Sequence, residues 1–183
     1  AVGAVQAAHA VLYTFGTLHW RQSGISATWC GALWTIGVVA EIILFAWSKP
    51  VITQLGPLRL IAIAAAAAVL RWTAMAFDPP LWLLAPMQVM HGATFGAAHL
   101  GAVHYMARAI PQSQGGTAQA LYASVTSGIA MGAATLTAGQ LYAAFAGRAY
   151  LAMAALGLLS LAAVWALMRR TSLTPDAPAD GGG

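Results

Sequence analysis

Long apolar runs alternate with short polar breaks along this chain. Six runs approach or exceed the ~20 residues that a bilayer-spanning helix needs: Ala1–Leu18, Trp29–Trp47, Leu58–Phe77, Leu81–Ala107, Ala118–Tyr142 and Tyr150–Met168. The breaks carry turn chemistry: Arg21-Gln22-Ser23-Gly24, Lys49-Pro50, Gly56-Pro57, Asp78-Pro79-Pro80, Pro111 to Gly116, and Gly147. The pattern predicts an all-α polytopic membrane protein. Six transmembrane helices occupy residues 1–170, and a flexible tail with Pro175, Pro178 and terminal glycines follows over residues 171–183. A β-barrel would alternate apolar and polar residues, and these runs do not. The apolar opening lacks a basic leader, so it reads as a span and not as a signal peptide.

Composition narrows the function. Of the residues, 60% are hydrophobic and 7% charged, against roughly 25% charge in soluble domains. So few ionic groups cannot cover a water-soluble enzyme, and disorder needs the opposite balance. One cysteine, Cys30, leaves no disulfide framework or zinc cluster. No cofactor or metal is expected, and the chain is not read as an enzyme. The net charge of +4 is a matter of loop placement, not a sign of nucleic-acid binding.

Loop charge sets the orientation. Six spans put both ends on one side. That side carries Lys49, Arg59, Arg108, Arg169 and Arg170, and the other carries Arg21, Arg148 and Asp78. The excess favours a cytoplasmic C-terminus in the cell's inner (plasma) membrane. Trp20, Trp29, Trp47, Trp82 and Tyr105 fall near span ends, where aromatic side chains anchor to the interface.

Small residues four apart share one helix face and let helices approach closely. Span 4 has Gly92 and Gly96; span 5 has Ser124, Gly128 and Gly132. These serve helix packing, as a static contact or as a sliding seam.

Polar groups inside spans are costly, at ~2.5–3.5 kcal/mol or more for a central charge, so they face the protein interior and point to function. Glu41 lies roughly 18 Å past Trp29 at the helical rise, among apolar neighbours, too deep to reach the surface. It needs a proton, a substrate or a structural ion pair. Arg71, roughly 9 Å from the outer end of its span, either snorkels toward Asp78 or turns inward to Glu41 or an anionic substrate. Gln88, His91 and Thr94 with Phe95 make a stripe at helical spacing, extended by His99. His91 lies at the depth of Glu41, and an imidazole can pass a proton near neutral pH. His9 and Tyr13 in span 1, with Gln6 and Thr17, form a weaker stripe; Gln119, Tyr122 and Thr126 form another in span 5. Each alone is interhelical glue as readily as a binding site. Together they can complete a polar cavity. No phosphate loop or G-x-S-x-G is present, and the histidine spacings do not make a paired haem site.

At these residues the chain resembles a known family. Met87-Gln88-Val89-Met90-His91-Gly92-Ala93-Thr94-Phe95-Gly96-Ala97-Ala98-His99 resembles the Q-x-L-H-x-x-T-F-G-x-x-H signature of a major facilitator superfamily branch. That branch holds phenylpropionate permeases and related sugar and nucleoside proton symporters. His9 to Phe15, Gly37 to Ile42, Leu70-Arg71-Trp72 and Ala118 to Tyr122 look like pieces of its helices 7, 8, 9 and 11, in order. The resemblance implies the C-terminal half of a twelve-helix transporter, built as a three-plus-three inverted repeat with substrate near the midplane. In the related lactose permease group a Glu, an Arg, and a His with a second Glu stand on helices 8, 9 and 10. Glu41, Arg71 and His91 match the first three, and Thr94 stands in the fourth place. Any proton then falls to Glu41, His91 or the other half.

The resulting expectation is proton-coupled symport of a small organic solute (an aromatic acid, a nucleoside or a sugar) by alternating access. Its partners are the lipid bilayer, protons, the substrate and a missing N-terminal six-helix half, a second copy or a larger membrane complex. The alternative is a non-transporting accessory subunit of such a complex, derived from a half-transporter.

Overall fold

Every apolar run becomes helix. The computed structural model describes residues 1–173. In order, it contains α1 (Val2–Ala7), α2 (Ala10–Gln22), α3 (Ala27–Ala46), α4 (Ser48–Leu55), α5 (Pro57–Met75) and α6 (Leu81–His91). A π-helical turn, Gly92–Gly96, joins α6 to α7 (Ala97–Ala109). Then come α8 (Gly115–Ala123), a second π-helical segment, Ser124–Ala130, α9 (Met131–Phe145) and α10 (Tyr150–Leu173). No strand occurs among the described residues. Ala27–Ala46, Pro57–Met75 and the helical run Gln112–Arg170 are each long and apolar enough to cross a membrane. The first span is broken and the fourth and fifth are widened by π-segments; the first and fourth carry the histidine-rich stripes.

Local chemistry explains the breaks. Ser26 caps α3, its hydroxyl accepting the Trp29 amide. Gly56 adopts φ +73° between α4 and α5, a conformation that suits glycine, and Pro57 opens α5 where its missing N–H costs nothing. The Lys49-Pro50 break is smaller than expected. The chain turns at Trp47, and both residues enter the first turn of α4, where proline is tolerated. α10 runs to Leu173, into the expected tail; residues 174–183 of that tail lie outside the described residues.

Span 1 departs most from expectation. It is not one helix over Ala1–Leu18 but two, interrupted at Ala8 and His9 and continuing to Gln22. At the interruption the His9 amide turns back to Gln6 O, and its ring Nδ1–H donates to Val5 O at 2.9 Å. The side chain takes a carbonyl that the helix would otherwise use. The longer α2 also carries Trp20 inward. It is buried beside Trp34, with ring centroids 5.9 Å apart, and is not an interface anchor. Trp29, Trp47 and Trp82 are exposed, as anchors must be.

α5 lies at the centre of one side, packed between α10 and α7. Its run Ala64 to Ala68 keeps the helix thin. A Cβ on Gly101 of α7 would meet Pro57 O at 2.8 Å, and one on Gly157 of α10 would meet Val69 N at 3.1 Å. α3 packs on α6 and the first π-turn, α1 on the second π-segment and α2 on α9. The spans bearing Glu41, His91 and Tyr122 therefore surround span 1, with α5 and α10 behind.

Candidate substrate and proton site

Arg71 is the hub. It sits near the end of α5, fully buried, and does not snorkel. Nη2 donates to Gln88 Oε1 at 2.9 Å and Nη1 to Thr94 Oγ1 at 3.0 Å. The guanidinium also lies 4.6 Å from the Trp72 ring centroid, a favourable cation–π distance. Its Nε has no hydrogen-bond partner among the described residues. Arginine stays charged in proteins, yet both acceptors are neutral, and no carboxylate is paired with it among the described residues.

The network continues through Thr94 to His9. With Nδ1–H given to Val5 O, a neutral His9 ring accepts at Nε2 from the Thr94 hydroxyl, 3.1 Å away. Arg71, Thr94 and His9 thus form a directed chain of donors, all three side chains buried. It ties α5, the first π-turn and the break in span 1 to one point. His9 is ringed by Trp72 (5.0 Å), His91 (5.3 Å), Tyr13 (5.5 Å) and Phe95 (5.8 Å).

Glu41 does not pair with Arg71, one of the inward partners considered for the arginine, but with His91, which lies at its depth. Its carboxylate lies 3.4 Å from His91 Nε2. The reason is the packing of α6 on α3. A Cβ on Gly92 would come within 2.9 Å of Ala40 O, and one on Gly37 within 3.4 Å of the His91 Cβ. This contact sets His91 against Glu41, while Arg71 is held by its neighbours on span 4. Glu41 and Tyr13 remain partly exposed on the open side of the bundle, so the Glu41–His91 pair meets the surface and the arginine does not.

His99 and Tyr122 form a separate pair, Nδ1 to hydroxyl at 3.3 Å, with Phe45 beside the imidazole. Gln119 joins neither group. It is exposed and lines a different cavity of 410 Å³ between the end of α7 and α8. The small residues also divide. Gly92 and Gly96 lie against α3. Ser124, Gly128 and Gly132 are exposed, and nothing lies within 4 Å of a Cβ built on either glycine. They pack on no helix of the described chain, because span 5 turns its other face, with Thr126, Ala134 and Ala138, to span 1.

The sequence reading missed one cluster. His19 Nε2–H donates to Asp78 Oδ1 at 2.7 Å, and its Nδ1 lies 2.9 Å from the Tyr142 hydroxyl. Phe15 stacks on Tyr142 at 4.4 Å. This group ties the ends of α2 and α9 to the α5–α6 turn. The available signal was position: all three polar residues flank breaks assigned to the same face of the membrane. Among the described residues no group of three or more His, Cys, Asp or Glu side chains is placed to hold a metal ion.

Residues 1–152 match the MFS_1 like family. A relative from Escherichia coli (strain K12) named "Probable 3-phenylpropionic acid transporter" is 37% identical over 75% of this chain and 36% of its own length. The maltose permease of Geobacillus stearothermophilus is 38% identical over 49% of this chain and 23% of its own. The uncharacterized transporter YwbF of Bacillus subtilis (strain 168) is 26% identical over 70% of this chain and 32% of its own. The matches thus span about a third or less of these relatives' lengths. No solved structure matches the chain. The relatives are carriers and not enzymes: the chain is a multi-pass membrane protein of the major facilitator superfamily, in its MFS_1-like family.

Proposed function

We propose that this chain forms one half of a proton-coupled symporter for a small organic solute, with an anionic or hydroxylated compound as substrate. The observation that carries the reading is the adjacency of two unlike groups. A buried, uncompensated guanidinium, fixed by Gln88 and Thr94, stands beside a Glu41–His91 pair that is partly open to the surface. The named substrates of two relatives, an aromatic carboxylic acid and a hydroxyl-rich sugar, are both chemistries that an arginine fork can bind.

In this mechanism Glu41 and His91 share the transported proton. Their 3.4 Å separation closes to a hydrogen bond with little movement. Substrate drawn toward Arg71 competes with Thr94 and Gln88 for its N–H groups. The exchange loosens the ties among span 1, span 3 and span 4 and favours the alternate state. A second six-helix unit covers the open face bearing Glu41, Tyr13 and the Ser124, Gly128 and Gly132 stripe, so that the cavity lies between two halves. The C-terminus lies in the cytoplasm.

The test uses the protein in native membrane vesicles, with labelled 3-phenylpropionate and labelled maltose as probes. Glu41→Gln should abolish accumulation driven by a proton gradient while leaving substrate exchange measurable. Accumulation equal to that of the parent would remove Glu41 from coupling. Loss of neither activity on Arg71→Gln would remove the substrate role of the arginine. The accessory-subunit reading rests on Thr94 standing where a carboxylate is expected. It would gain if neither probe moves in the parent.

A further inference from the structure

An apolar groove of 610 Å³ runs down the surface between α3, α4, α5 and the α6 π-turn. Its walls are aliphatic apart from Trp47 and Thr35, and the Thr35 hydroxyl is spent on Gly31 O at 2.9 Å. Along α3 the groove extends from Thr35 to Trp47, roughly 18 Å at the helical rise, close to the ~15 Å depth of one leaflet. Leu55, the last residue of α4, lines this groove and also a second cavity of 430 Å³. The second cavity has a different character. Arg59, Arg108 and Tyr105 line it, with Pro57 and Met168.

α4 explains why the two cavities meet. Its eight residues span roughly 12 Å, too short to cross ~30 Å of hydrocarbon. Ile52 is buried and Lys49, Thr53 and Gln54 are exposed. The helix is therefore too short to span and is amphipathic, as interfacial helices are. The basic cavity is at headgroup level and the groove at acyl depth. Glu41 and Asp78, the acidic residues among those described, line neither cavity. Arg59 and Arg108 are exposed and have no carboxylate partner among the described residues.

We infer that these two cavities form a single binding site for an anionic glycerophospholipid, with its phosphate between Arg59 and Arg108 and one acyl chain in the groove. Two charges supply selectivity for acidic headgroups, and burial of the chain supplies most of the affinity. The site shares no residue with the Arg71 network. Its occupancy is independent of the transport reading and can fail or stand without it.

The test is native mass spectrometry of the full chain released from nanodiscs holding equal phosphatidylglycerol and phosphatidylcholine. The parent should retain phosphatidylglycerol in preference. Arg59→Gln with Arg108→Gln should reduce that preference by more than about tenfold, at about fivefold per arginine, while phosphatidylcholine is still retained. Val39→Trp, at an exposed position in the groove, should lower retention of both lipids. Excess glycerol 3-phosphate should leave the bound lipid in place; its displacement would mean a soluble phosphate ester as ligand and overturn the lipid assignment. Equal retention of the two lipids by the parent, or a preference unchanged in the double variant, would also overturn it. Arg108→Gln alone gives a second reading should the double variant be poorly folded.

Discussion

At the scale of single residues, the site depends on what a buried guanidinium requires. Arg71 has five N–H donors in a rigid fork, and the fold supplies oxygens of the right separation on Gln88 and Thr94. A lysine would offer a point charge and could not span both. Thr94 has a double duty, since its one hydroxyl accepts from Arg71 and donates to His9. Thr94→Val keeps the shape and removes both bonds, together with the longer contact of the hydroxyl to His91 O at 3.4 Å. Leaving a buried charged donor short of a partner should cost about 2 kcal/mol. Thr94→Ser should recover most of this, as read by thermal unfolding in detergent. A valine variant as stable as the parent would show that the hydroxyl holds nothing together.

At the scale of helices, close backbone approach sets the register of the Glu41–His91 pair. α6 reaches its π-turn where Gly92 and Gly96 face α3. Across this widened turn His91 meets Glu41 of α3 and Thr94 meets Arg71 of α5 and His9 at the break in span 1. Such turns recur at functional sites because they re-aim side chains without ending the helix. Gly92→Ala places a methyl group 2.9 Å from the Ala40 carbonyl oxygen, a backbone atom that cannot swing aside. The helices must part, at a cost of about 1–3 kcal/mol. Gly128→Ala meets nothing in the described chain and should leave its unfolding temperature unchanged. Unfolding temperatures of the two variants decide the matter, and equal effects would contradict the packing described.

At the scale of the whole molecule, the two faces of the bundle are unlike. One carries the half-exposed Glu41 and Tyr13 and the exposed small-residue stripe of span 5. The other buries the alanines of α5 under α10. Its two ends differ as well: Arg59, Arg108 and Met168 line one cavity, and the His19–Asp78 contact ties the opposite loops. The positive-inside rule predicts that the basic end faces the cytoplasm. A cysteine at Gln114, in the exposed turn before α8, should resist an impermeant maleimide in intact cells. One at Ser23, in the exposed turn after α2, should be labelled. Cys30 is buried and adds little background. Labelling of the first and protection of the second would invert the topology.

The sequence by itself determined the membrane class, the helical spans and which polar residues lie within them. These follow from local quantities: run length, turn residues and the cost of a charge in hydrocarbon. It also exposed the stripe of Gln88, His91 and Thr94, because helical spacing is legible without partners. Partner choice was decided only by the tertiary structure. Depth matched Glu41 to His91 but left Arg71 free to turn to Asp78, to Glu41 or to a substrate; in the fold it meets two neutral oxygens. The outcome depends on the crossing of α3 with α6 and on a π-turn that no spacing rule reveals. His9 likewise looked like one member of a helical stripe. In the fold its ring breaks the helix and closes the network, because it could reach at once a carbonyl behind it and a hydroxyl from a distant span. Depth is a one-dimensional property that a sequence can carry; the angle at which two helices present their side chains belongs to their packing.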